Sequence, residues 1–135
     1  VKLREYYGFT RQKILQFSID LDNLCDKDNE DENELVFPGN HDCNTIYGWY
    51  KTLSDDYKWR LKEFLRKNEC YDINVNIGIM QYLSKCKAQM PIIMVQDILG
   101  LDEKSRINIP GTENENNWSW KLIDFEDFKE RIKDY

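Results

Sequence analysis

Three short apolar segments, each followed directly by polar residues, constrain the fold of this chain more than any other feature. They occupy residues 13–20, 34–37 and 91–97. The third begins as an uninterrupted apolar run, a pattern typical of strands covered on both faces of a parallel sheet. Because long stretches separate the segments, crossover connections can join them, and the order predicts parallel βα units in an α/β fold. We expect the polar ends of these strands to meet at one edge of the sheet.

The rest of the chain carries helical patterns. The predicted helices have apolar residues at helical spacing or a capping residue at one end, and they cover residues 1–7, 44–53, 54–67, 72–86 and 124–135. Ser54, followed by two aspartates, is expected to cap the third helix, and Trp59 on that helix is assigned to the core. The fourth helix is expected to bury Ile73, Ile77, Met80, Tyr82 and Leu83.

The segment after the second strand holds a His–Asp pair. His41, the only histidine of the chain, and Asp42 follow the break at Pro38-Gly39. Polar residues at the carboxyl ends of barrel strands line the active-site mouth, so the pair predicts a functional role. Asp42 also fits a second role, as the N-cap of the following helix.

A second polar and aromatic island lies far downstream, at residues 106–112 and 117–120. It contains Trp118 and Trp120, two positions apart in a stretch rich in asparagine. Two roles stay open for these tryptophans: packing beneath a barrel mouth, which we favour, or forming a platform for a sugar ring. Together the two islands are typical of sugar-handling loops.

Charge and cysteine content argue against several classes of partner. The chain has 19 basic and 25 acidic residues, a net charge of −6, which argues against nucleic acid. Much of this acidity lies at residues 26–34, where the lack of EF-hand spacing favours a solvated loop. With no Cys-x-x-Cys pair and a single histidine, we expect no metal site, and reduced thiols in a cytoplasmic protein. No apolar run approaches the roughly 18 residues that a membrane span needs, so no membrane partner is expected.

Four motifs resemble those of the 4-α-glucanotransferases, or amylomaltases, of glycoside hydrolase family 77. Where that family has Gly-Thr-His-Asp-Asn-Asp-Thr and then Gly-Trp, residues 39–45 read Gly-Asn-His-Asp-Cys-Asn-Thr and residues 48–49 read Gly-Trp. The other three follow in the family's order: Val-Gln-Asp-Ile-Leu-Gly-Leu at 95–101, Arg-Ile-Asn-Ile-Pro-Gly-Thr at 106–112 and Asn-Trp-Ser-Trp-Lys at 117–121. The resemblance spans nearly the whole chain.

This resemblance implies a fold and a reaction. The chain would be the C-terminal part, about three βα units, of a (β/α)8 TIM barrel, forming a single domain over residues 1–135. The family transfers α-1,4-glucan segments to the 4-hydroxyl of an acceptor glucan or glucose by a retaining mechanism. Maltodextrins and other α-glucans are the implied partners, and no metal or organic cofactor is implied.

The resemblance also implies roles for individual residues. By motif position, Asp42 matches the family carboxylate that stabilises the transition state, and His41 matches the neighbouring sugar-binding histidine. Arg106 and Asn108 are expected to bind substrate or to anchor their loop. For Asp97, support of the site from behind and direct contact with the sugar both stay open.

The family's nucleophilic Asp and acid/base Glu have no counterpart here, and their motifs belong to strands upstream of this chain. Retaining chemistry needs two carboxylates roughly 5 Å apart, so the isolated chain is expected to be inactive. The chain also departs from the family at Asn44, where an Asp is frequent. This change removes a charge near the site and is expected to alter the support of His41.

Two other functions stay open. One is a non-catalytic glucan-binding or interaction module, and the other is a fragment of an α-amylase-clan hydrolase, whose strand-end His–Asp pair is similar. In each case the strands that lack neighbours expose their edges. We therefore expect the isolated chain to self-associate.

Overall fold

The computed structural model describes residues 2–18, 33–70, 72–88 and 90–134. Most of the acidic segment at 26–34, the end of the first predicted strand and Cys25 therefore lie outside the described residues. No helix in the described ranges is both long and apolar enough to cross a membrane.

The described residues form one three-stranded parallel sheet and the helices that precede, connect and follow its strands. Its strands are β1 (Arg11–Ile14), β2 (Glu34–Phe37) and β3 (Met90–Pro91), in the order β1-β2-β3. Because all three run in one direction, their carboxyl ends lie at the same edge of the sheet. The prediction of parallel strands in an α/β chain is confirmed.

Two of the three strands are shorter than predicted. The first predicted strand, at 13–20, turns after Ile14 into the short helix α2 (Leu15–Ser18), and the third, at 91–97, gives way to the helix α6 (Val95–Ile98). The central strand β2 is only four residues long and ends at Phe37, so it offers neither neighbour a partner beyond that residue. Short apolar runs also fit a buried helix as well as a strand.

Helices fill the connections close to where the sequence predicts them. The helices not yet named are α1 (Lys2–Tyr7), α3 (Ile46–Thr52), α4 (Asp55–Lys67), α5 (Val75–Ser84) and α7 (Phe125–Arg131), with 3-10 turns at Glu103–Ser105 and Ile132–Asp134. Ser54 caps α4 as expected, since its hydroxyl accepts a hydrogen bond from the Tyr57 N–H. α5 begins at Val75 rather than at Asp72, whose carboxylate instead accepts a hydrogen bond from the Asn74 N–H.

The hydrophobic core lies where α3, α4 and α5 pack together against β2. Its buried side chains include Val36, Ile46, Leu61, Ile79 and Leu83. Trp49 packs against this cluster, as expected.

Two residues predicted to be buried are exposed. Ile73, predicted to be buried by α5, precedes that helix and is 90% exposed. Trp59, predicted to lie in the core, is 63% exposed because it faces outward from α4. Phe125 at the start of α7 and Ile132 in the 3-10 turn after it are also exposed in this chain.

Candidate active site at the carboxyl edge of the sheet

The His–Asp pair lies in a tight turn between β2 and α3. The side-chain oxygen of Asn40 accepts hydrogen bonds from the Asp42 N–H (2.9 Å) and from the Cys43 thiol (3.2 Å). This Asx turn reverses the chain directly after the strand. Gly39 is required before it, because a Cβ there would lie 2.7 Å from Gln16 Nε2 and 2.8 Å from the Cys43 Cβ. The turn therefore fixes where His41 and Asp42 can point.

Asp42 is held by the second island. Asn108 Nδ2 donates to Asp42 Oδ1 at 2.7 Å, across 66 positions of sequence. Arg106 Nη2 donates to the Asp42 main-chain oxygen at 3.0 Å. Arg106 Nε donates to the main-chain oxygen of Asn108 at 3.3 Å. The structure thus brings together three residues that the sequence placed in one site. It uses Arg106 to join the two loops.

The second carboxylate oxygen of Asp42 faces the histidine. His41 Nε2 lies 3.4 Å from Asp42 Oδ2, and both side chains are about half exposed. The carboxylate is therefore fixed through one oxygen, while its other oxygen and the imidazole lie at the surface. Fixed, partly exposed hydrogen-bonding groups of this kind can bind the hydroxyls of a ligand.

The His41 ring is flanked by an exposed tryptophan. The centroids of the His41 and Trp118 rings are 5.1 Å apart with an interplanar angle of 37°. Trp118 is 66% exposed in the described chain, which favours the alternative prediction, a platform for a sugar ring, over packing beneath the site. Trp120 is only partly exposed.

Asp97 belongs to α6 and is buried, with its side chain against the first residue of α3. Its side chain is 1% exposed, and its Oδ1 accepts a hydrogen bond from the Ile46 N–H at 2.7 Å. Burial raises the pKa of Asp97 to about 6, and the hydrogen bond from Ile46 opposes that rise. Oδ2 has no hydrogen-bond partner among the described residues. This burial favours support of the site over direct contact with a sugar.

Asn44 also turns inward. Its main-chain oxygen accepts a hydrogen bond from Gln16 Nε2 at 2.7 Å, while its Oδ1 is buried with no partner in the part of the chain that the structure describes. Gly48 lies directly against that oxygen. Near the start of α3 there are thus two buried oxygens without a hydrogen-bond partner among the described residues, Asn44 Oδ1 and Asp97 Oδ2.

Sequence reasoning missed two features of this site. The N-cap of α3 is Thr45, whose hydroxyl accepts a hydrogen bond from the Gly48 N–H at 3.0 Å, so the alternative role of Asp42 as that cap is wrong. Asn40, noticed only as a departure from the family motif, organises the turn. An asparagine two residues before Asp42, after a Pro-Gly pair, is the signal that could have identified it.

Two further observations bear on metal binding and on the cysteines. Within the described ranges, no group of three or more His, Cys, Asp and Glu side chains is arranged to hold a metal ion. Cys43, Cys70 and Cys86 are free thiols, and burial raises the pKa of the Cys43 thiol.

Comparison with known proteins gives consistent results. The profile of the family described as 4-alpha-glucanotransferase matches residues 1–125. The chloroplastic/amyloplastic 4-alpha-glucanotransferase of Solanum tuberosum is 34% identical over 124 residues, which cover 90% of this chain and 21% of that protein. The 4-alpha-glucanotransferase of Streptococcus pneumoniae is 34% identical over 131 residues, 92% of this chain and 25% of that protein.

A solved structure matches as well. The amylomaltase from Streptococcus agalactiae in complex with acarbose superposes with a TM-score of 0.83 and 26% sequence identity, covering 98% of this chain and 28% of that chain. The present chain therefore spans between about a fifth and a little over a quarter of the length of these proteins.

Proposed function

The chain belongs to the 4-alpha-glucanotransferase family, and from this premise we propose that it forms the C-terminal part of a glucanotransferase catalytic barrel. The complete enzyme transfers α-1,4-glucan segments to the 4-hydroxyl of an acceptor glucan or of glucose. The observation that carries the proposal is the convergence of Asn108 and Arg106 on Asp42, across 66 and 64 positions of sequence.

The proposed architecture is a (β/α)8 barrel to which residues 1–135, as a single domain, contribute about three βα units. Three parallel strands with helical connections support this assignment, as does a share of 21–28% of the relatives' lengths. A barrel of this type has eight strands, and the remaining units would flank β1 and β3.

In this proposal Asp42 stabilises the transition state. A retaining transfer passes through an oxocarbenium-like state, in which a carboxylate that binds ring hydroxyls more tightly than in the ground state lowers the barrier. The hydrogen bond from Asn108 fixes one oxygen of Asp42 and leaves the other for the sugar. Arg106 fixes the main chain of Asp42, and its guanidinium has further N–H donors for a sugar hydroxyl.

His41 acts beside the carboxylate, where its imidazole donates to a neighbouring hydroxyl of the same glucosyl unit. Asp97 supports both residues by holding the start of α3, while Asn44 packs beneath Gly48 in the same segment. The nucleophilic Asp and the acid/base Glu come from the upstream barrel units. The proposed chemistry needs only these carboxylates and protons.

The partner of the site is a maltodextrin or another α-glucan. The Streptococcus agalactiae amylomaltase is described as a complex with acarbose, which supports this class of ligand. We also propose a cytoplasmic location, although the plant relatives carry plastid locations in their names. Fractionation of the source cells followed by immunoblotting tests that part of the proposal.

The substitution Asp42→Asn in the complete enzyme tests the role of the site. We expect at least a hundredfold loss of transfer from maltotriose, because the amide removes the negative charge that the transition state requires. Oligosaccharide profiles and reducing-end release are measured together, since a hydrolase raises reducing ends and a transferase leaves them nearly constant.

Asp127→Asn is the matched control for this substitution. Asp127 has a similar exposure, lies on α7 and pairs with Arg131 away from the site. If both variants keep full transfer, the proposed role of Asp42 is wrong. Retained maltodextrin binding without transfer by the unsubstituted enzyme would favour a glucan-binding module instead.

A further inference from the structure

Trp118 adopts a backbone conformation that its residue type disfavours. Its φ is +60°, and the only other non-glycine residue with positive φ among those described is Glu69. Glu69 follows the end of α4, where a left-handed residue is a common way to stop a helix. Trp118 ends no helix, and a bulky side chain in this region is a genuine outlier. Such outliers persist only where the surrounding structure enforces them, and they cluster at functional sites.

The surrounding loop enforces this conformation through hydrogen bonds. The Trp118 N–H donates to the Ile107 oxygen at 2.6 Å, which ties the tryptophan to the segment that carries Asn108. Asn117, directly before it, accepts from the Ile109 N–H at 3.2 Å and donates to the Thr112 oxygen at 3.0 Å. The same loop segment therefore sets the position of the Trp118 main chain and that of the amide that holds Asp42.

The result is an apolar ring held outward beside polar groups. The Trp118 indole is 66% exposed and packs at 5.1 Å against His41, whose Nε2 lies 3.4 Å from the Asp42 carboxylate. The imidazole therefore contacts the indole and also lies near the carboxylate. A pyranose ring has an apolar C–H face and polar hydroxyl edges, and a flat aromatic face beside hydrogen-bonding groups complements both.

We propose that Trp118 is a sugar-binding residue that supports the glucosyl unit next to the one held by Asp42 and His41. This inference rests on the proposed function and adds to it a determinant of glucan binding. Because the indole covers one face of a second unit, it strengthens binding of glucans that extend beyond the unit at Asp42. The hydrogen bonds of the loop hold the Trp118 backbone in its left-handed conformation, and this conformation fixes the indole ring beside His41.

The test uses the complete enzyme and three variants. Trp118→Gly removes the indole and also relieves the positive φ, so stability should not fall. Trp118→Phe keeps an aromatic face. Trp59→Ala is the control, because Trp59 is 63% exposed on α4, away from the site. The readouts are the thermal midpoint Tm, and KM and kcat for maltotriose and maltoheptaose. The Kd of maltoheptaose is measured by calorimetry with each variant in a background that lacks the upstream nucleophilic Asp, so that the ligand is not converted.

We expect Trp118→Gly to raise the maltoheptaose Kd and KM about tenfold, the loss expected for one stacked aromatic ring. The kcat should change much less, Trp118→Phe should recover part of the affinity, and Trp59→Ala should leave every value unchanged. An unchanged Kd and KM in Trp118→Gly, or a fall in Tm as its only effect, would overturn the inference. The Kd does not depend on turnover, so weaker binding by Trp118→Gly in an enzyme without transferase activity would support the inference while the proposed function fails.

Discussion

At the scale of the residue, Asp97 links the site to the core through its burial. Its carboxyl holds the first N–H of α3 but has an unpaired second oxygen, and burial raises its pKa to about 6 from 3.8. Between these two values the folded state binds more protons at this group than the unfolded state does. The contribution of Asp97 to the free energy of unfolding therefore falls as the pH rises from about 4 to about 6.

The substitution Asp97→Asn should remove this pH dependence. The amide oxygen of Asn still accepts the hydrogen bond from Ile46, and the side chain carries no charge at any pH. Between pH 4 and pH 7, we expect the unfolding free energy of the variant to increase by roughly 2 kcal/mol relative to that of the unsubstituted protein. Denaturant titrations of both proteins at the two pH values measure it, and a difference that is constant with pH would contradict the account.

Single residues also show what the sequence could and could not predict at the site. Asp42 follows the end of β2, where strand geometry predicts a site residue. Arg106 and Asn108 lie well beyond the end of β3, so only the resemblance to the family motifs indicates that they belong to the same site. The exposure of Trp118 does not follow from the sequence. It depends on a left-handed backbone that side-chain hydrogen bonds of the loop impose, and no local preference of tryptophan indicates it.

At the scale of the element, the close packing of α3 depends on Gly48. A Cβ at this position would lie 2.4 Å from Asn44 Oδ1 and 2.8 Å from the Glu103 main-chain nitrogen. The helix therefore approaches the 3-10 turn at Glu103–Ser105 more closely than any side chain permits. Lys51 adds an ion pair with Glu103 at 2.8 Å to the same contact.

We expect Gly48→Ala to lower the free energy of unfolding by about 2 kcal/mol, because the added methyl group overpacks a contact with main-chain atoms that cannot rotate away. Thr52→Ala, at the exposed end of the same helix, is the control for changes in helix propensity. Chemical denaturation of both variants provides the measurement. A Gly48→Ala protein that is as stable as the unsubstituted one would show that α3 can shift away from Glu103.

The bounds of the helices agree with the sequence patterns better than the lengths of the strands do. The helices α3 and α4 form within a few residues of their predicted bounds because Thr45 and Ser54 supply capping hydroxyls. The strands β1 and β3 are shorter than predicted, because their length depends on how far β2 offers a partner, and β2 ends at Phe37. Strand length is thus a property of neighbouring segments, which a run of apolar residues does not reveal.

At the scale of the whole molecule, residues 3–17 of the chain present several apolar side chains to the surface. They belong to α1, α2 and the residues around them: Leu3, Tyr6, Tyr7, Phe9 and Phe17. β1 has a neighbouring strand on one side only in the described sheet, so its other side is a sheet edge. In the proposed barrel, upstream units would cover both features.

We therefore expect the isolated 135-residue chain to associate with itself. Multi-angle light scattering after size exclusion should give a mass above that of the 16.3 kDa monomer, rising with concentration. Replacement of Tyr6 and Phe9 by lysine should reduce the association. Replacement of Trp59 by lysine should not, although Trp59 on α4 is about as exposed as Phe9. A monomer at all concentrations, with low binding of a hydrophobic dye, would contradict this prediction.

Oligosaccharide profiling with maltotriose tests the central claim most directly, on the 135-residue chain and on a protein extended upstream to complete the barrel. The account predicts glucose and a series of longer maltodextrins from the extended protein, no products from the chain alone, and at least a hundredfold slower product formation when Asp42 is replaced by Asn in the extended protein. Activity of the 135-residue chain alone would contradict the claim, because it would place both missing carboxylates within these residues.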